Sequence, residues 1–172
     1  MTSEKLKDLI NNQINKELYS SYLYLSMSSF CEAKNLSGFA NWFMIQAQEE
    51  RDHALMFYNY AHRIGMDVKF EAIDKPGMTF ESPLDVLVKT YEHEQLVTSL
   101  IYAIMDEAVE CHDYKTVQFL QWFVSEQAEE EETANGLVEK LKLAGETQSG
   151  LFLMDAEMAT RVYTPNANLQ AQ

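Results

Sequence analysis

Apolar residues along the chain recur at steps of three and four, the period of a helix and not the alternation of a strand. Punctuation divides this pattern into four long segments and a short one. The first runs from about Ser3 to Ala33. Ser37 stands where an N-cap would open the second, and Gly65 where a helix closes at C′. Ser82-Pro83, a cap followed by proline in the first turn, opens a third segment that reaches about Cys111. Asp113 is placed to cap a fourth, which ends at Gly145. Residues 150–160 read as a short amphipathic helix with Leu151, Phe152, Met154 and Met158 as its apolar members. The polar stretch from Asn166 to Gln172 is expected to fray.

Helices of about 30 residues are about 45 Å long, which suits a four-helix bundle. Tight joins predict two antiparallel hairpins, the first with the second helix and the third with the fourth. The connection from Met66 to Glu81 contains Pro76-Gly77 and is far longer than a hairpin needs. Its roughly 16 residues extend to about 53 Å, enough to travel the length of the bundle. The expected fold is therefore all-α: an antiparallel four-helix bundle, a long crossover that makes the second and third helices parallel, and a short fifth helix. It is expected to form one domain over residues 1–172, with the bundle at 3–145, the short helix at about 150–160 and a frayed tail at 161–172.

Composition narrows the function. The chain has 172 residues, 47% of them hydrophobic and 12% aromatic, enough for a sizeable core. Its 27 acidic residues against 13 basic ones give a formal net charge of −14. Such a surface repels phosphate backbones and anionic membranes and attracts cations, so neither nucleic acid nor membrane is expected as a partner. Cys31 and Cys111 form no CxxC pair, which points to a reduced, cytoplasmic setting. The N-terminal residues lack an apolar signal core, and no apolar run reaches the roughly 18 residues of a membrane span.

One inward stripe can be written for each long helix. The first passes through Leu6, Ile10, Gln13, Glu17, Ser20, Tyr24, Met27 and Cys31. The second passes through Phe39, Phe43, Gln46, Glu50, His53, Phe57, Tyr60 and Ile64. The third joins Leu84, Leu87, Tyr91, Glu94, Thr98, Ile101, Met105 and Ala108, and the fourth joins Leu120, Phe123, Gln127, Glu130, Ala134, Leu137 and Leu141. Each stripe is mainly apolar, and each is interrupted near its middle by a carboxylate. At about 1.5 Å per residue, Glu17, Glu50, Glu94 and Glu130 fall within about one helical turn of the same level. His53 and Gln127 lie one turn from Glu50 and Glu130, on the same faces.

Four unpaired carboxylates in a dry core would each cost several kcal/mol, and no basic residue shares their level. Two divalent cations would balance four glutamates, and His53 adds a nitrogen donor. A carboxylate-rich site with one imidazole suits iron or manganese better than structural zinc. The competing explanation is a solvated acidic seam facing outward. It serves for any one glutamate and weakens for four of them plus an E-x-x-H on one level.

These residues carry a resemblance. Glu17 with Tyr24, Glu50-Arg-Asp-His53, Glu94 and Gln127-x-x-Glu130 resemble the pattern of a ferritin. The likeness is greatest to prokaryotic non-haem ferritins. It extends through Glu17-Leu-Tyr-Ser-Ser, Ala47-Gln-Glu-Glu and the stretch from Phe119 to Glu131, and covers nearly the whole chain. The resemblance implies an iron-storage protein with ferroxidase activity in a hollow 24-subunit shell. Two Fe(II) would bind between the helices and be oxidised by O2, with H2O2 left open as an oxidant. The product would then hydrolyse to a ferric oxyhydroxide mineral in the cavity.

By that resemblance Glu17, Glu50 and His53 would hold a first iron, with Glu50 bridging. Glu94 and Glu130 would hold a second, beside Gln127. Glu49, Glu126 and Glu129 resemble a third iron site nearer the cavity, where an ordinary acidic surface is the plainer alternative. Tyr24 resembles an electron donor or a neighbour of the ligands, with a buried structural tyrosine as the alternative. His62, His93 and His112 lie off the inward stripes and receive no chemistry. Cys31 and Cys111 read as packing residues, Trp42 and Trp122 as packing or interface aromatics, and Tyr19, Tyr22 and Phe152 as surplus apolar surface for association.

The resemblance has limits. Bacterioferritins carry a haem-ligating Met two residues before the second-helix His, where this chain has Arg51, so no haem is expected. Animal ferritins line a three-fold pore with acids at positions that fall on Val117 and Leu120 here, so that iron-entry route is not transferred. A rubrerythrin-like di-iron peroxidase would need an electron-delivery domain with paired cysteines, which this chain lacks. A bundle that holds Mg, Ca or Zn without redox turnover is a non-enzymatic alternative. A DNA-protecting miniferritin would place its metal between subunits.

Overall fold

The computed structural model describes residues 2–170. Its elements are α1 (Glu4–Glu32), α2 (Ser37–Arg63), α3 (Pro83–Glu110), α4 (Tyr114–Ala144), α5 (Gln148–Met158) and α6 (Ala167–Gln170). No strand occurs among the described residues.

The helix ends follow the chemistry of their caps. Side-chain oxygens of Ser3, Ser82, Asp113 and Thr147 accept from the backbone N–H groups of Leu6, Asp85, Thr116 and Gly150 at 3.0–3.2 Å. Pro83 takes the first helical position of α3, where its missing N–H costs nothing. Gly65, at φ +71°, lets the Met66 N–H reach back to the Ala61 carbonyl at 2.9 Å and closes α2. Ser37 departs from the cap expected of it. It is the first helical residue of α2, Leu36 precedes it, and no local side chain caps the helix. The acceptor comes from α5, where Asp155 Oδ1 takes the Gly38 and Phe39 N–H groups at 2.8 and 3.0 Å.

Antiparallel packing of α1 on α2 shows in the Ser21 and Ser28 hydroxyls, which donate to the carbonyls of Ala47 and Ala40. The long connection runs along α1. Asn11 accepts from the Lys69 N–H at 3.0 Å, Asn15 donates to the Ala72 carbonyl at 3.1 Å, and Phe80 meets Phe30 edge-on at 5.4 Å. The chain thus returns to the far end of the bundle before α3 begins, so α2 and α3 are parallel.

The core is divided in two. One apolar cluster holds Met27, Phe39, Phe43, Leu87 and Leu141, and α5 closes it with Met154 and Met158. The other holds Ile10, Phe57, Ile101, Leu120 and Phe123. Between them lies a buried polar layer that includes Glu17, Gln46, Glu50, His53, Glu94, Gln127 and Glu130.

The stripes written for α1, α2 and α4 are buried except for Ile64 and Leu137, which are half-buried. The stripe on α3 is displaced. Leu84, Tyr91 and Met105 are half-buried, while Val86, Thr90, His93, Val97 and Ile104 are buried. The buried face of α3 is therefore centred between two files, and His93, expected outside the core, lies within it. On α5, Phe152 is 74% exposed, as association surface would be. The segment after α5 departs from the frayed tail expected of it, because Arg161, Tyr163 and Asn166 all bond α2. Residues 171–172 lie outside the described residues.

The docking of α5 depends on Gly38. A Cβ there would lie 1.8 Å from the Asp155 carbonyl oxygen, a backbone atom that cannot swing aside. Gly38→Ala should therefore cost about 2 kcal/mol or more. Asp155→Ala, which removes only the cap, should cost about 1 kcal/mol. Gly136→Ala, on an exposed and open part of α4, should instead stabilise by about 0.5–1 kcal/mol. Guanidinium unfolding of the three variants checks this ranking, and a Gly38→Ala chain as stable as the parent would contradict it.

Candidate metal centre

Glu17 and Tyr24 face inward from α1, two turns apart on one side of the helix. Glu50 and His53 do the same one turn apart on α2, Glu94 on α3, and Gln127 and Glu130 on α4. All seven are buried. The structure thus brings the inner residues named from the sequence into the buried layer between the two apolar clusters.

Glu17, Glu50 and His53 form the tightest group, each offering a ligand atom within 4.8 Å of the others. His53 Nδ1 lies 3.5 Å from Glu50 Oε2. One oxygen of Glu17 accepts from the Gln13 amide at 2.8 Å. The other, Oε2, is buried with no hydrogen-bond partner. An orphaned carboxylate oxygen in a dry core is costly and calls for a cation or a proton.

Amide side chains tie the remaining glutamates into the layer. Gln46 Nε2 donates to Glu130 Oε2 at 2.9 Å and to Glu50 Oε1 at 3.2 Å. Gln127 Nε2 donates to Glu94 Oε2 at 3.2 Å and also to the Glu94 carbonyl and Thr98. The Tyr24 hydroxyl donates to Glu94 Oε1. Burial, and after it the Glu94 charge, holds the Tyr24 phenol well above its ordinary pKa, so it is a neutral donor.

Burial raises all four inner carboxyls. Glu17 and Glu94 are pushed up from 4.5 to about 8, first by burial and then by the charge of Glu50. Glu50 and Glu130 are raised by burial and by neighbouring carboxylates, Glu130 acting on Glu50 and Glu94 on Glu130. Without a cation, the layer keeps its protons where an exposed carboxyl would have lost them.

The outer acids are only partly gathered. Glu126 Oε1 lies 3.9 Å from His53 Nε2, so the imidazole stands between inner and outer carboxylates. Glu49, Asp52, His53 and Glu126 line a polar cavity of about 90 Å3 with Thr164 and Asn166. Glu129 is exposed on α4 and does not line it. Glu49 is salt-bridged to Arg161.

Three participants escaped the sequence reading. His93 bonds Ser20 at 2.8 Å and meets the Tyr24 ring edge-on at 5.8 Å, and burial pushes its pKa down to about 4. A second apolar file on α3, with Val86, Thr90 and Val97 at helical spacing from His93, was its only signal. Gln46 stands on the inward stripe, and only its two acceptors in the fold give it a role. Arg161 lies in a polar tail with no periodic pattern to mark it.

The sequence and the fold are similar to those of known proteins. The Ferritin-like domain family matches residues 7–144. The chain is 44% identical over 155 residues to the bacterial non-heme ferritin of Campylobacter jejuni, covering 90% of this chain and 93% of that one. It is 43% identical over 161 residues to that of Bacteroides fragilis, covering 94% and 100%. An open-pore ferritin from the hyperthermophilic archaeon Archaeoglobus fulgidus superposes with a TM-score of 0.92 at 42% identity, over 94% of this chain and 100% of that one. With its four-helix bundle, its crossover along α1 and its carboxylate layer, this chain belongs to the ferritin family.

Proposed function

We propose that this chain stores iron: it oxidises Fe(II) between its four helices and deposits Fe(III) inside a shell of 24 copies in the cytoplasm. The observation that carries the reading is the Glu17–Glu50–His53 cluster, with Glu17 Oε2 buried and unpartnered. Three converging donors, one of them an imidazole, suit Fe(II) in a site that lacks thiolates.

In this reading the first Fe(II) binds Glu17, Glu50 and His53. The second binds Glu94 and Glu130, with Glu50 shared between the two. Glu50 is suited to that position, since Gln46 already links its carboxylate to Glu130. The two cations bring four positive charges to four glutamates, which removes the charge cost of burying them. Where general di-iron bundles have a second Glu-x-x-His, this chain has Gln127-x-x-Glu130, so Glu130 takes the position of the histidine and Gln127 that of the glutamate. The Gln127 amide holds Glu94 in place and leaves the second iron to oxygen donors alone, which favours release of the oxidised product.

Each Fe(II) gives up one electron, and O2 is the acceptor. Tyr24, neutral and bonded to Glu94, orients that carboxylate, and as its direct neighbour it would be the residue to supply an electron. Past His53, the carboxylates of Glu49 and Glu126 offer the next stop for a cation leaving the centre, and Glu129 a further acid on the same helix. Hydrolysis of Fe(III) in the cavity then yields the mineral and releases protons.

The raised carboxyl pKa values fix the sign of a pH effect. Between 4.5 and about 8 the folded chain holds protons that the unfolded chain has lost. Stability of the metal-free protein should therefore fall as pH rises through that window. Urea unfolding at intervals from pH 5 to pH 8 should show a steeper decline for the parent than for Glu17→Gln, and added Zn(II) should flatten it. Equal slopes for the two proteins would contradict this account of the core.

Activity is tested by adding Fe(II) in air and following ferric absorbance together with particle mass. Glu17→Ala and His53→Ala should each slow the fast oxidation phase by at least about tenfold, a barrier increase of about 1.4 kcal/mol, and leave the particle assembled. If both variants oxidise iron at the parent rate, the centre lies elsewhere.

A further inference from the structure

Arg161 is held from several sides. Its guanidinium lies over the Trp42 ring at 4.4 Å, donates to Gln46 Oε1 at 2.9 Å and to the Trp42 carbonyl at 3.4 Å, and pairs with Glu49. Its own carbonyl accepts from the Asn41 amide at 3.1 Å. Two residues on, the Tyr163 hydroxyl donates to Asp52 at 2.8 Å, and the Asn166 N–H reaches the same carboxylate at 3.4 Å. The segment after α5 is thus strapped along α2 from Asn41 to Asp52.

Gln46 is where the strap meets the buried layer. Its side chain is fully buried, and both ends of its amide are engaged. The oxygen faces a guanidinium, and the nitrogen faces Glu50 and Glu130. Turned over, the amide would set its NH2 against a cation and give up its donation to Glu50 and Glu130. Arg161 therefore decides which end of Gln46 the inner glutamates meet. The same guanidinium places a positive charge on Glu49, at the edge of the cavity that also holds Glu126.

We propose that Arg161 is a positioning residue that couples the outer carboxylates to the buried centre, engaging Glu49 and, through Gln46, Glu50 and Glu130 at once. A cation that binds Glu49 competes with the guanidinium, and its arrival frees Gln46 to turn. By linkage, the state of the inner centre sets how readily the outer one fills. A lysine cannot substitute, because an ammonium lacks the planar fork that serves two acceptors while stacked on an indole. The proposal rests on the reading of the centre given above.

The test is an anaerobic Co(II) titration of the assembled protein, read by visible absorption and by calorimetry, for the parent, Arg161→Met, Arg161→Lys and Glu17→Ala. In Arg161→Met the outer acids should bind Co(II) about tenfold more tightly than in the parent, and the absorption band of inner Co(II) should change shape. Arg161→Lys should restore the weak outer binding but not the parent band. Parent affinities together with a parent band in Arg161→Met would overturn the proposal. Should that variant not assemble, Arg161→Lys decides by its band alone, and an unaltered band overturns the proposal. Glu17→Ala separates the two readings. If it titrates like the parent, the centre itself is misassigned, whereas loss of tight Co(II) in Glu17→Ala beside parent behaviour in Arg161→Met sinks only the role given to Arg161.

Discussion

The structure turns on the cost of burying carboxylates. Four glutamates, an imidazole and several amides occupy a layer between two apolar clusters, where water does not compensate them. Removing such charges from water is unfavourable unless protons, hydrogen bonds or cations offset it. This chain uses all three means. Raised pKa values keep protons on the layer, Gln13, Gln46, Gln127 and Tyr24 supply donors, and one oxygen of Glu17 remains for a cation. A bundle selected for stability alone would fill this layer with leucine. The polar layer is a function carried at the expense of the fold, which the two flanking clusters make tolerable.

Much of this was legible in the sequence because helical periodicity is a strong signal over segments this long. Caps at Ser82 and Asp113 and the glycine at Gly65 bound the helices, and the length of the middle connection implied the crossover. The inner glutamates were legible for the same reason: each breaks an otherwise apolar file. What escaped depends on tertiary contact. The cap of α2 is supplied by Asp155, more than a hundred residues away, so Ser37 looked like the cap only by local chemistry. His93 was lost because the buried face of α3 is centred between two files, and a single stripe follows only one. Arg161 was lost because an irregular segment has no period to read.

The outer acids show how far charge alone can carry an argument. Glu49, Glu126 and Glu129 look equivalent in sequence. In the fold Glu49 has a guanidinium partner, Glu126 faces the far side of His53 at 3.9 Å, and Glu129 stands exposed. Three like residues therefore have three electrostatic settings, and the net charge of −14 is not one reservoir.

The crossover also separates the residues of the buried layer by the length of chain that joins them. Glu17, Glu50 and His53 all belong to the hairpin of α1 and α2, whose helices are joined by a turn of four residues from Ala33 to Leu36. Glu94 and Glu130 arrive only when the second hairpin docks, after closure of a much longer loop. Closing a short loop costs less chain entropy, so the trio can converge while the rest of the chain is still unpacked. The Glu17–Glu50–His53 cluster is thus local in contact order, whereas Glu94 and Glu130 reach the same buried layer across the longer loop.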